Sequence, residues 1–135
     1  MSALAQEEVL VEGIRAEVPD VVAVYLFGSA ASGELRPDSD IDLAILAAAP
    51  LPATRLWSLA QSLALTAGRD VDLIDLQSAS TVMRAQVISK GKRLYCADEA
   101  RCGEFEDRVY SDYARLNEER REILNDIHAR GSIYG

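Results

Sequence analysis

Gly28 and Ser29 are followed, after ten residues, by Asp40-Ile41-Asp42, and a further acidic run, Asp70-Val71-Asp72-Leu73-Ile74-Asp75, arrives one helix-length later. These residue types are the parts that metal-dependent nucleotidyl transfer requires. A glycine lets the backbone approach a phosphate, and a serine hydroxyl can donate to a phosphate oxygen. Carboxylates are hard oxygen ligands that suit Mg²⁺, an ion that keeps waters and shares its shell with substrate phosphates. In a strand, residues i and i+2 face the same way, so Asp40 and Asp42 point together. If the next acidic run occupies the neighbouring strand, Asp72 lies level with Asp42. Crowded ionised carboxylates repel one another unless a cation or a shared proton relieves them. In a two-ion arrangement Asp40 and Asp42 would bridge both ions. Asp72 would join one of them and accept the proton of an attacking hydroxyl. Arg36 is near enough in sequence to assist with phosphate charge. Taken singly, a D-x-D pair is equally at home as turn or solvent-facing strand residues. The order of the parts, on the right elements, carries the reading. Asp70 and Asp75 read as a turn residue and a strand-end residue.

The elements that must position these side chains are legible from periodicity and turn chemistry. Residues 3–17 read as a helix, with Leu4, Val9, Val11 and Ile14 as its apolar face and Pro19 as its stop. The run VVAVYLF at 21–27 suits a strand buried on both faces. A short helical turn is expected from Ser29 to Leu35, then turn chemistry at Arg36-Pro37-Asp38-Ser39. IDLAILA at 41–47 is the second strand. Residues 54–66 read as a helix with Leu56, Trp57, Leu59 and Leu63 inward, closed by Gly68. Residues 71–76 alternate apolar and acidic, as a half-buried strand does. Ser80 caps a helix that ends at Gly91, and 93–96 form a short edge strand. Residues 98–103 read as a polar joint. Phe105, Val109, Tyr113, Leu116, Ile123, Leu124 and Ile127 then make an apolar stripe on a long charged helix. The β-helix-β connection between the second and third strands predicts that they run parallel. The expected fold class is therefore α/β (α+β): a small mixed sheet flanked by helices. Residues 1–97 would form the compact unit, and residues 98–135 a C-terminal helix packing on it or on a partner.

Composition narrows the function. The chain has 135 residues, enough for one domain, with 49% hydrophobic and 27% charged residues. A formal charge of −8 argues against nucleic acid as the main partner, because phosphate contacts need clustered Lys and Arg. Cys96 and Cys102 fit no zinc spacing and are expected as reduced thiols. Glu7 and Glu8 interrupt the first apolar stretch, so no signal peptide is expected. No run approaches the ~18 apolar residues of a membrane span, and the compartment is expected to be the cytoplasm. His128, the single histidine, falls near the end of the last helix, where a cation suits the helix dipole and no catalytic role is expected. Lys90 and Lys92 are expected to be solvated.

The run Gly28-Ser29-x10-Asp40-x-Asp42 resembles the signature of the polymerase-beta-like nucleotidyltransferase superfamily, and the compact size resembles its minimal nucleotidyltransferase (MNT) branch. LFGSAASGELRPDSDIDLAIL, RDVDLIDLQSAS, VISKGKRLY and ARLNEERREILND extend the likeness to the antitoxins of HEPN/MNT toxin–antitoxin pairs, over nearly the whole chain. The resemblance implies an antitoxin of a type VII-like pair. It would use ATP and Mg²⁺ to move AMP onto a tyrosine of its cognate HEPN toxin, an RNase, in a hetero-oligomer with that toxin. The family's metal-binding positions fall on Asp40, Asp42 and Asp72, and its phosphate-turn positions on Gly28 and Ser29. Two alternatives stand beside this one. Transfer to a small molecule is disfavoured by the missing second domain, since a small acceptor needs walls. Neutralisation by binding alone is disfavoured by intact carboxylates.

Overall fold

In the computed structural model, which describes residues 3–28 and 40–130, α1 (Ala3–Glu17) leads into β1 (Val21–Phe27) and β2 (Ile41–Ala47). Then come α2 (Ala53–Ala67), β3 (Val71–Asp75), α3 (Thr81–Lys90), β4 (Lys92–Cys96) and α4 (Glu99–Ala129). The turns expected across residues 29–39 lie outside the described residues. The strands form one sheet in the order β3-β2-β1-β4. β1 is antiparallel to both β2 and β4. β2 and β3 are parallel, as the intervening helix requires. The fold is thus the expected α/β (α+β) arrangement, a small mixed sheet with helices on both faces.

Two apolar clusters hold the layers. On one face Leu10 and Ile14 of α1 and Leu59 and Leu63 of α2 meet Val24, Leu26, Leu43 and Ile45. On the other, Val87 of α3 and Cys102 of α4 meet Val22, Tyr25, Ala44 and Leu46. β1 and β2 are the inner strands, covered on both sides, which is why their sequences are continuous apolar runs. Gly68 closes α2 in the left-handed conformation, φ 70°, its N–H donating to Ala64 O. The Ser80 hydroxyl accepts from Met83 N at 3.1 Å and caps α3.

Four expectations are corrected. Trp57 is 67% exposed, because the inward phase of α2 runs through Leu56, Leu59, Ala60 and Leu63 and position 57 falls outside it. Leu4 is likewise exposed, and Leu10 takes its place in the core. The supposed joint at 98–103 is the start of α4: Asp98 is its N-cap, accepting from Ala100 N at 3.0 Å, and Gly103 lies within the helix. The cysteines are not free thiols. Cys96 ends β4, the chain turns back at once into α4, and the first turn brings Cys102 into a disulfide with it, the Cα atoms 6.6 Å apart.

α4 has 31 residues, about 46 Å at 1.5 Å each, roughly twice the length of a seven-residue strand. Only Cys102 and Val109 are buried along it, and Ile123 and Leu124 are exposed. The apolar stripe therefore continues beyond the sheet that its first half covers.

Candidate active site

The β1–β2 register pairs Phe27 with Asp42, and the β2–β3 register pairs Asp42 with Asp72. The end of β1 and the starts of β2 and β3 thus meet at one end of the sheet. Alternation sends Asp42 to the same face as Ala44 and Leu46, and Asp72 to that of Ile74, which is the face covered by α3 and α4. Adjacent strands are about 5 Å apart, so Asp42 and Asp72 stand side by side. Asp40, at the mouth of β2, is exposed and shares the phase of Asp42.

The electrostatics report the crowding. The Asp42 carboxyl is pushed above its ordinary value, first by burial and then by the charges of Asp72 and Asp40. Two neighbouring carboxylates therefore act on the third at close range. Gly28 completes the floor. It has φ +71°, and a Cβ there would collide with Asp42 Oδ2 and come within 3.1 Å of Asp42 Cγ. The described residues contain no closed group of three or more side chains already set for a metal ion. An open arrangement of oxygen donors fits Mg²⁺, which completes its shell with water and phosphate oxygens.

Of the expected site residues, the structure thus brings together Gly28, Asp40, Asp42 and Asp72. Ser29 and Arg36 lie outside the described residues. Lys92 pairs with Glu7 at 3.1 Å on the α1 side of the sheet. Asp75, read as an idle strand-end residue, is buried and accepts from Leu51 N and Gln77 N at 2.9 Å each. It fastens the connections that follow β2 and β3, a role no local pattern signals. Tyr25, on the same sheet face, has its hydroxyl pushed up to about 12 by burial and by Glu106, with Arg93 opposing.

A three-layer α/β fold with acidic residues on paired strands and a left-handed glycine at the end of the first strand defines a class. Residues 11–100 match the family model "Polymerase beta, Nucleotidyltransferase", and the chain belongs to that family. It is 40% identical, over 91% of its length and 88% of the relative's, to the protein adenylyltransferase MntA of Shewanella oneidensis. Among solved structures, a toxin–antitoxin crystal structure with AMP-PNP superposes with a TM-score of 0.81 at 39% identity, covering 90% of this chain and 98% of that one. A complex of tri-AMPylated Shewanella oneidensis HEPN toxin with MNT antitoxin superposes with a TM-score of 0.79 at 36% identity, covering 94% and 99%.

Proposed function

We propose that this protein is the antitoxin of a type VII-like toxin–antitoxin pair and a Mg²⁺-dependent protein adenylyltransferase, moving AMP from ATP onto a tyrosine of a cognate HEPN toxin. The observation that carries the reading is the side-by-side register of Asp42 and Asp72 above Gly28, in a chain 40% identical to a protein adenylyltransferase. The tyrosine oxygen attacks the α-phosphorus of ATP, the bond to the bridging oxygen breaks, and diphosphate leaves. Asp40, Asp42 and Asp72 would hold Mg²⁺, which supplies charge to the phosphates and acidifies the attacking hydroxyl. Asp72, the most open of the strand carboxylates, takes the hydroxyl proton. Gly28 leaves the phosphates free to approach backbone N–H groups that a side chain would screen. Ser29 donates to a phosphate oxygen, and Arg36 balances its charge.

Residues 1–97 carry the chemistry in this reading, and residues 98–135 carry the partner. The outer half of α4 exposes Ile123 and Leu124 in phase with the face that buries Cys102 and Val109. Such a continued stripe suits a helical protein surface, and the HEPN toxin is the occupant we assign to it. The cytoplasm, where ATP is available, is the compartment we assign. There the Cys96–Cys102 pair would stand against a reducing thiol pool.

The test mixes the full chain, the cognate toxin, ATP and Mg²⁺ and reads toxin mass. A gain of one or more AMP units, absent with Asp42→Asn, supports the assignment. Full neutralisation of the RNase with no mass change refutes the catalytic part and leaves binding alone.

A further inference from the structure

A polar cavity opens on the sheet face shared with the acidic site, but at the opposite end of the strands. Its volume is about 320 Å³, at the lower end for small-molecule sites. Val22 at the start of β1 and Leu46 at the end of β2 form its floor, and Phe105 of α4 forms an apolar wall. Arg84 of α3 and Arg101 and Arg108 of α4 converge on it, opposed by the single carboxylate of Glu104. Asp42 and Ala47 are five residues apart on β2, so the cavity lies about 17 Å from the acidic cluster.

Three features separate this cavity from a casual surface dent. Its rim is fixed by hydrogen bonds: Arg84 Nε donates to Leu76 O at 2.7 Å and Arg84 Nη2 to Gln77 O at 2.8 Å. Gln77 Nε2 in turn donates to Ala47 O at 2.8 Å. The guanidinium of Arg84 is therefore held in place before any ligand arrives. Second, Arg101 and Arg108 have no ion pair among the described residues, whereas Arg115, Arg121 and Arg130 each have one and Arg93 has two. They are two helical turns apart on one side of α4, about 10 Å along its axis. Third, the local charge is positive in a chain whose formal charge is −8. Guanidinium groups offer planar forks of donors that match phosphate oxygens.

We propose that this cavity is a second, non-catalytic anion site that takes a small phosphate-bearing molecule, with the arginines on the phosphate and Phe105 against any flat group attached to it. It is independent of Mg²⁺ and of the acidic residues.

The experiment uses the full chain carrying Asp42→Asn and Asp72→Asn, in EDTA, so that nucleotide held through a metal at the acidic cluster does not contribute. Inorganic diphosphate, AMP and adenosine are titrated by calorimetry. Diphosphate and AMP bind, adenosine does not, and the affinity falls with added salt. AMP tighter than diphosphate means that the apolar wall is used; equal affinities mean that the phosphate alone is read. Arg101→Ala and Arg108→Ala each weaken binding about tenfold, the loss expected for a hydrogen bond to a charged group. Their melting temperatures stay at the parent value, because neither side chain holds an element together. Arg84 is left intact, since it ties the turn after β3. Absence of phosphate binding overturns the proposal, as does binding insensitive to both arginine substitutions. A glutamate-rich peptide that binds where diphosphate does not would also overturn it, and would make the cavity a protein contact. Because the acidic cluster is disabled throughout, none of these outcomes bears on AMP transfer.

Discussion

Gly28 and Asp42 touch across the end of the β1–β2 pair, the carboxylate occupying the space where a side chain at 28 would go. The glycine serves twice, taking a left-handed φ of +71° and leaving room for an acidic neighbour. Gly28→Ala therefore strains the backbone by about 1–2 kcal/mol and displaces the carboxylate. Displacing a group of this kind costs about a hundredfold in rate. Denaturant unfolding and an AMP-transfer assay on the same sample read both losses. A variant with unchanged transfer would show that the contact is incidental.

On the proposed reading, Asp42→Asn should abolish transfer and also steady the metal-free fold. In the folded chain the Asp42 carboxyl holds its proton more tightly than in the unfolded chain, through burial, Asp72 and Asp40. A group raised in this way makes its ionised form a burden on the native state. The burden is full above the raised folded value and is relieved as pH falls through it toward the model value of 3.8. Melting curves in EDTA should place Asp42→Asn above the wild type at pH 7, with the gap closing in acid. A gap that widens as pH falls contradicts this account. Added Mg²⁺ should raise the wild-type melting temperature and leave the variant where it was.

Opening the Cys96–Cys102 bridge should destabilise the chain by about 2 kcal/mol, the loop-closure value for so short a loop. Cys96→Ala is the cleaner variant, since Cys102 is fully buried. Denaturant midpoints with and without reductant measure the effect, and the two conditions should coincide for Cys96→Ala. Thiol counting in protein taken from cells under alkylating conditions tells which redox form is present there.

Ile123→Asp with Leu124→Asp should leave unfolding free energy within about 0.5 kcal/mol, because both side chains are already exposed. Affinity for the toxin should fall tenfold or more if these residues dock on it, about the loss of one interface anchor. Wild-type binding by the double variant would place the docking surface elsewhere.

The strands were legible because a β-branched, aromatic run such as VVAVYLF has few other uses, and the acidic site because period-two alternation needs no tertiary knowledge. The β-helix-β connection predicts parallel strands, and Asp42 pairs with Asp72 because those strands are also neighbours. What stayed hidden depended on phase or on long-range return of the chain. Trp57 has the hydrophobicity of a core residue, but its position on α2 decides its exposure. Asp98 read as part of a joint because a cap is visible only once the helix behind it is known. Cys96 and Cys102 meet because α4 doubles back on β4, and Asp75 matters because Leu51 passes beside it. Arg84, Arg101 and Arg108 are scattered over two helices, and only their packing gathers them.

The protonation preference at position 42 sets scaffold against chemistry. In the metal-free chain an uncharged side chain there should give the sturdier body. On the proposed reading, such a chain would give up AMP transfer while the exposed stripe of α4 stayed as it is.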